Sequence, residues 1–468
     1  MTIDQQPTVF ILYGGTGDLA KRMVLPAFYE LYIRNLLPER WKLVGNGRGD
    51  VAHEDFQGHI HDSLEEFAET PDADQWEKFA ANVLFAGGGF REDDPGSLVD
   101  VIETAKKELG DEVAFIHYLA IPPKSFEPTT QAIKAHGLNT GAKAVYEKPY
   151  GTSPESFEEL DTLVHTVFDE DQVYRIDHFL GKEATQNLHM LRFANDVFAD
   201  TWNRDHVVEV QIDVPETLDV ADRADFYDET GAALDMLVTH LFQVAAEVAM
   251  DPPTSFEAEA LQEARETVIA AFRPLSPREV VLGQYASYVK TEGVPDDSTT
   301  DTFVAARLWI DTDRWQGVPF LLRTGKKMAT KAQRVSLIFK KAPGPMSNTK
   351  CQPGVLTFDL SGTGAIELEM TVKKPGPDFV PADANSVLHL DTVSKGSMQP
   401  YTSLIYDVFA GDRSLFTSAP GLKHAFAAFS PLLGDERPDV QTYDDDSWGP
   451  AAADVLPGQY GWLLNSRA

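Results

Sequence analysis

A single cysteine, Cys351, stands in 468 residues. No internal disulfide can form, so the fold rests on packing, hydrogen bonds and charge. The chain opens Met1-Thr2-Ile3-Asp4, which starts no signal peptide, and no apolar run in the sequence approaches membrane-spanning length. These absences predict a cytoplasmic protein with no membrane partner. Positive charge is scarce too. Only 40 Lys and Arg stand against 73 Asp and Glu, a formal net charge of −33. Such a surface repels nucleic acid and anionic lipid, and it makes any pocket that gathers Lys, Arg and His stand out. A salty cytoplasm and plain solubility both remain open as reasons for the acidity. Hydrophobic residues are not scarce: at 43% they exclude a disordered chain. The length allows roughly two or three domains with a substantial core.

What is present begins near the N-terminus. Gly14-Gly15-Thr16-Gly17-Asp18-Leu19-Ala20 follows the apolar run Val9-Phe10-Ile11-Leu12-Tyr13 and opens a helical pattern. Gly15-x-Gly17-x-x-Ala20 fits the strand–turn–helix grammar of a dinucleotide fold, with glycines for close approach and helix N–H groups for a pyrophosphate. A ligand-free strand–turn–helix stays open on this stretch alone. Lys42-Leu43-Val44-Gly45 is a plausible second strand. The acid expected at its end for a free ribose hydroxyl is missing; Asn46-Gly47-Arg48-Gly49-Asp50 stands there instead. Arg48 is placed to pair with a 2′-phosphate, or else is a solvated surface arginine, and Asn46 can hydrogen-bond the ribose edge. Asp50, an acid for the hydroxyl, lies beyond the glycines. The sequence leans to NADP without excluding NAD.

Residues up to about 175 alternate strand-like and helix-like segments. The strands are Val9–Tyr13, Lys42–Gly45, Asn82–Phe85, Phe115–Ala120 and Ala144–Glu147, and Pro26 kinks or ends the first helical stretch. Prolines follow the fourth and fifth strands, in Ile121-Pro122-Pro123 and Glu147-Lys148-Pro149, and fix side chains at the sheet's carboxyl edge. Beyond that point period-2 runs at Val207–Val214, Phe303–Ile310, Arg334–Lys340 and Ile366–Lys373 alternate with helices Gly181–Asn195, Ala232–Met250 and Ser255–Phe272. The predicted fold class is therefore α/β followed by α+β. A Rossmann-type doubly wound sheet spans residues 1–176, and a large, mainly antiparallel sheet with helices spans 177–468. Acidic segments near Asp296 and from Tyr443 to Pro450 read as surface loops.

Three constellations carry chemistry. In Arg175-Ile176-Asp177-His178-Phe179-Leu180-Gly181-Lys182-Glu183, His178 and Lys182 share a face if helical, which suits a phosphate; a solvated edge is the bland alternative. Around the apolar helix from Ala232, Asp235 and His240 lie in or beside a buried face, next to Arg223 in sequence. A buried histidine is promoted to a base only if a carboxylate orients it, and Asp177 is the candidate. In Leu322-Arg323-Thr324-Gly325-Lys326 through Lys331, the lysines could reach a sugar or its phosphate, or form an ordinary basic loop.

Taken in order, Gly-Gly-Thr-Gly-Asp-Leu-Ala-Lys-Arg (14–22), Glu-Lys-Pro-Tyr-Gly (147–151), Arg-Ile-Asp-His-Phe-Leu-Gly-Lys-Glu (175–183), Gly-Val-Pro-Phe with Arg-x-Gly-Lys (317–326), Lys-Lys-Pro-Gly (373–376) and Tyr-x-x-Leu-Ile-x-Asp-Val-Phe (401–409) resemble the glucose-6-phosphate dehydrogenase family over essentially the whole chain. The resemblance implies oxidation of the C1 hydroxyl of a 6-phosphorylated hexose to its lactone. It makes His240 the base, Asp177 the carboxylate that orients it, and Lys148 the lysine between nicotinamide and sugar. It makes His178 and Lys182 phosphate ligands, and Glu216, Asp235, Lys326 and Lys331 the grip on the sugar. Gly14, Gly15, Thr16, Gly17, Asp18, Leu19, Arg48, Lys148 and Pro149 line the cofactor. It implies a homodimer or homotetramer built through the large sheet. No metal is expected, since hydride transfer with a histidine base needs none. The chain departs from the family pattern at Phe179, where a tyrosine is usual, and at Leu234, Val238, Thr239 and Ser361. These departures keep open another 6-substituted aldose or free glucose as substrate; a catalytically idle relative is the remaining rival.

Overall fold

The computed structural model describes residues 6–49, 51–110, 112–220, 224–344, 352–392 and 396–466; Asp50, Arg223 and Cys351 lie outside these stretches. Continuous apolar runs separated by helices make strands buried on both faces, and such strands pair in parallel. They are β1 (Thr8–Tyr13), β2 (Trp41–Asn46), β3 (Val83–Ala86), β4 (Ala114–Leu119), β5 (Lys143–Tyr146) and β6 (Val173–Ile176). Their order is β6-β5-β4-β1-β2-β3, all parallel. Strand order reverses between β1 and β4, which opens a crevice at their carboxyl ends. Tyr13 pairs with Leu119 there, so Gly14 lies beside Ala120. Pro26 neither ends nor kinks the helix that follows. A widened π turn, Ala20–Val24, closed by the Leu25 N–H to Ala20 carbonyl bond, precedes it, and the helix runs on through Leu25–Ile33.

The second sheet contains β7 (Val207–Pro215), β8 (Val280–Tyr285), β9 (Phe303–Leu308), β10 (Phe320–Gly325), β11 (Arg334–Phe339), β12 (Val355–Asp359), β13 (Ala365–Lys373) and β14 (Pro381–His389). The remaining strands are β15 (Phe416–Thr417) and β16 (Val440–Tyr443). The second sheet runs β14-β13-β12-β11-β7-β10-β9-β8-β16 and is antiparallel except at β7–β10 and β8–β16. Tyr443, expected in a surface loop, ends β16 and is buried. β15 leaves this sheet altogether and pairs antiparallel with β6, so the N-terminal sheet is not made from residues 1–176 alone. Leu404, Ile405, Val408 and Phe409 from helix Pro400–Ala410 join the same core as Phe10 and Phe28.

Between the sheets lies the helix expected from Ala232. Gly231 breaks the preceding turn with φ +71°, where a Cβ would sit 2.8 Å from Asp301 Oδ1. The Asp301 carboxylate then accepts the Ala233 N–H at 2.6 Å and caps the new helix. The helix is π-wound over Leu234–Leu241 and α over Phe242–Ala249. Together with the turn before it, Tyr227–Ala249 is long and apolar enough to cross a membrane, unlike what inspection of the sequence suggested; nearly all of it is buried inside the protein. It is a core helix, with Leu237, Val238, Leu241, Phe242 and Val248 fully enclosed. Burying each such side chain contributes roughly 1.5–3 kcal/mol relative to exposure.

Candidate active site

The parallel sheet and the core helix meet at one point. Lys148 follows β5 and is held by a cis peptide bond to Pro149, while Asp177 follows β6. The core helix brings Asp235 and His240 to them. His240 Nδ1 lies 2.8 Å from Asp177 Oδ1, and both side chains are almost wholly buried. On the other side of the ring, Lys148 Nζ lies 2.8 Å from His240 Nε2 and 3.0 Å from Asp235 Oδ1. These contacts select one tautomer. A carboxylate accepts only, so Nδ1 carries the proton; an ammonium donates only, so Nε2 keeps its lone pair. In this tautomer the nitrogen without a proton, Nε2, is turned toward Lys148, which borders the cleft. Burial pushes the Asp235 carboxyl up, but nearby positive charge, led by the Lys148 ammonium that also bonds it, holds it below the usual range. Donor atoms of Asp177, His178 and His240 lie within 4.8 Å of one another, and both His240 nitrogens already have partners, Nδ1 on Asp177 and Nε2 on Lys148.

Residues 177–182 form a turn rather than the first turn of a helix. Leu180 N–H reaches Asp177 O at 3.1 Å, and the helix starts only at Glu183. His178 and Lys182 therefore converge through the turn, not through a shared helical face. The His178 ring meets His240 edge-on at 4.6 Å, and Phe179 stacks on His240 at 4.8 Å. Lys182 Nζ sits 4.5 Å above the Phe179 ring and donates to the Gln333 side-chain carbonyl. Burial lowers the Lys182 ammonium to about 8; Asp177 and Asp359 oppose the shift and Lys331 adds to it. His178 is driven well below the ordinary imidazole range chiefly by burial, with the neighbouring Lys148 and Lys182 ammonium groups adding to it. It therefore stands neutral, able to donate one hydrogen bond. Lys331 is exposed and near enough to act on Lys182 by charge.

Lys326 Nζ bonds Glu216 Oε2 at 2.7 Å, and Lys326 also acts electrostatically on Asp235. Glu216 follows β7 and Lys326 follows β10, the one parallel pair at the centre of the second sheet. Lys148, Pro149, Leu234, Asp235, Val238 and Thr239 line a cleft beside the base. Hydrogen bonds, a ring contact and electrostatic reach thus link all nine residues read from the sequence as catalytic or sugar-binding into one connected group, of which Lys148 and Asp235 line the cleft.

The cofactor candidates gather at the β1–β4 crevice. Gly14 has φ +76°, and a Cβ there would stand 2.3 Å from Ala120 O, so only glycine fits. Gly14 and Gly15 N–H groups both bond Asn46 O, and Gly17 N–H returns to Gly14 O. Thr16 and Arg48 are exposed at the rim. Asp18 is exposed as well, paired with Arg22 at 2.7 Å, and Leu19 is half-buried. Asn46 corrects an expectation. Its side-chain amide is buried and donates to Ala86 O and Gly89 O at 3.1 and 3.2 Å, so it shapes the loop instead of meeting a ribose. The glycine-rich cradle, the helix start and Arg48, which has no hydrogen-bond or ion-pair partner among the described residues, fit a dinucleotide that carries an extra phosphate.

Two features escaped the sequence reading. Gln333 reaches Lys182, though nothing in Lys331-Ala332-Gln333-Arg334 singles it out. Glu147 is buried behind Lys148, bonded by Tyr118 at 2.6 Å and Tyr401 at 3.4 Å, and burial raises its carboxyl to about 7. Its place beside Lys148 in a strand-ending motif was the available signal.

Comparison with known proteins gives the following. The sequence model described as "Glucose-6-phosphate dehydrogenase, NAD binding domain" matches residues 11–187, and that described as "Glucose-6-phosphate dehydrogenase, C-terminal domain" matches residues 189–463. Glucose-6-phosphate 1-dehydrogenase 2 of Mycobacterium tuberculosis is 35% identical over 96% of this chain and 92% of its own. Glucose-6-phosphate 1-dehydrogenase 5, cytoplasmic, of Arabidopsis thaliana is 33% identical over 97% and 91%. A solved structure of glucose-6-phosphate dehydrogenase in complex with its substrate glucose-6-phosphate superposes with a TM-score of 0.91 at 28% identity, covering 99% of both chains.

Proposed function

This chain belongs to the glucose-6-phosphate dehydrogenase family, and we infer from that membership and from the site that it oxidises C1 of D-glucose 6-phosphate to 6-phospho-D-glucono-1,5-lactone. The observation that carries the chemistry is the line Asp177–His240–Lys148, which leaves Nε2 unprotonated and turned toward Lys148. When bound, NADP supplies the nicotinamide ring that accepts the hydride from C1. The protein's own residues do the rest. His240 Nε2 takes the proton of the C1 hydroxyl. Asp177 holds the ring and stabilises the imidazolium that results. Lys148 shares its ammonium between His240 and Asp235; when the C1 hydroxyl takes its place at Nε2, Asp235 retains it beside the reacting oxygen. Glu216, Asp235 and Lys326 hold the sugar hydroxyls, while His178, Lys182 and Lys331 receive the phosphate.

Gly14, Gly15, Thr16, Gly17, Asp18 and Leu19 cradle the pyrophosphate, Arg48 meets the 2′-phosphate, and Lys148 and Pro149 border the nicotinamide. Residues 1–176 thus serve the cofactor, and 177–468 serve the substrate and self-assembly. The assembly is a homodimer or homotetramer through the outer end of the large sheet, where Met370, Val372, Val380, Val387 and Leu388 are exposed. The location is the cytoplasm, in keeping with the name of the Arabidopsis relative. Reduced-nicotinamide absorbance across a panel of free and 6-substituted aldoses, with NADP and with NAD, tests the reading. Glucose 6-phosphate with NADP is expected to give the highest kcat/KM. Failure with both cofactors while another sugar reacts would replace the substrate but keep the hydride chemistry.

A further inference from the structure

We propose that Gln333 is a substrate-binding residue whose amide fixes Lys182 through Oε1 and presents its Nε2 hydrogens to the phosphate of the sugar. The proposal rests on the substrate reading given above. Its basis is the donor inventory of the phosphate end. Phe179 offers a ring face and no hydroxyl, and that face is taken up by His240 on one side and Lys182 on the other. Neutral His178 donates once. Lys182 already gives hydrogens to Gln333 Oε1 and, at 3.4 Å, to Leu360 O. Because an ammonium only donates, its partner on Gln333 must be the carbonyl oxygen, and this fixes the amide orientation. The other arm of the fork is then an NH2 group, which meets no partner among the described residues.

The backbone on both sides is pinned. Ala332 N–H bonds Pro215 O at 3.1 Å, one residue before Glu216, and Gln333 O accepts Leu360 N–H at 2.7 Å. Gln333 is therefore held between the ends of β7 and β12, one next to the sugar grip and one next to Lys182. Ser361, the neighbouring polar residue, is exposed and turns its own N–H to Asp359, so it does not compete for this place. A half-buried amide on a rigid support, oriented by the phosphate-site lysine, is a donor prepared for an anion.

The test separates phosphate recognition from general support. Gln333→Ala removes both arms. Gln333→Glu keeps an acceptor for Lys182 but turns a carboxylate oxygen toward the phosphate. Losing a hydrogen bond to a charged group should raise KM for glucose 6-phosphate about ten- to a hundredfold in the alanine variant, with kcat nearly unchanged. The glutamate variant should be worse, and kcat/KM for free glucose should stay the same in both. Inorganic phosphate, used as a competitive inhibitor, should weaken in step with KM. An unchanged KM in both variants overturns the proposal, and so does an equal loss for glucose and glucose 6-phosphate. If the wild-type enzyme leaves glucose 6-phosphate unreacted, the substrate reading falls by itself. Thermal-shift titration with inorganic phosphate then decides: equal shifts in wild type and variants overturn the role of Gln333, and smaller shifts in the variants sustain it.

Discussion

Replacing Asp177 by asparagine isolates the electrostatic part of the proposed base. Asp177 Oδ1 accepts two hydrogens, from His240 Nδ1 and from the Phe179 N–H at 2.9 Å, while Oδ2 is buried without a partner among the described residues. An amide in this place keeps its oxygen at the Oδ1 position, since a reversed NH2 would face two donors. The imidazole tautomer survives, and the missing element is the negative charge. An imidazolium and a carboxylate with charge centres about 4 Å apart attract by about 4 kcal/mol at an effective dielectric constant of about 20. That attraction exists only once His240 has taken the proton, so its loss falls on the transition state. At tenfold per 1.36 kcal/mol, kcat should drop about a thousandfold while KM for glucose 6-phosphate holds. The amide also buries an NH2 with no acceptor, which should cost about 1–3 kcal/mol of stability. Steady-state kinetics on a variant checked by circular dichroism and thermal melting would decide. A folded Asp177→Asn enzyme within about tenfold of the wild-type kcat would refute the reasoning.

Arg48→Ala should weaken NADP far more than NAD, because only NADP carries the phosphate it would pair with; equal losses in the two KM values would place Arg48 elsewhere. The half-buried Lys182 ammonium, lowered to about 8, is charged below that pH and neutral above it. KM for glucose 6-phosphate should therefore climb above about pH 8 with kcat little changed, and Lys182→Arg, which stays charged, should flatten the climb; a wild-type KM flat through this range would contradict the assignment. If the charge of −33 is a response to salt, the melting temperature should rise toward molar KCl as self-repulsion is screened. A flat melting temperature favours simple solubility.

Five of the six parallel strands were legible because each is a short apolar run closed within a few residues by glycine or proline, and their carboxyl ends were legible as a site for the same reason; β6, with Arg175 in it and Asp177-His178 after it, carried neither signal. The core helix showed its start at Ala232 through Gly231, but not its π winding, which depends on what packs around Leu234–Leu241. His240 could be read only as a buried histidine with a candidate carboxylate; residues 63 positions apart had to be brought within 2.8 Å before they became a pair. The phosphate end was read with the wrong local geometry. Spacing of four suggested a helix over His178–Lys182, yet Asp177 spends its backbone carbonyl on closing a turn. Asn46 was misjudged because its two backbone acceptors come from the end of β3 and the loop after it, which no local pattern announces. Gln333 was invisible for a related reason: a glutamine gains meaning only from the lysine it meets 151 residues away.

The short strand β15 bears on how the protein is made. A ribosome releases β1 through β6 first, and the open side of β6 stays bare until Phe416 and Thr417 arrive to pair with Ile176 and Arg175. The ring of Phe416 against Tyr174, 4.9 Å between centroids, and that of Phe409 near Phe10, at 5.9 Å, arrive equally late. A nascent chain halted after the first sheet would expose an unpaired edge and an incomplete aromatic core, both invitations to aggregate. The nucleotide-binding half therefore reaches its finished form only when almost the entire polypeptide has been translated, and a fragment ending near residue 187 would be expected to collect in inclusion bodies rather than serve as a free-standing nucleotide binder.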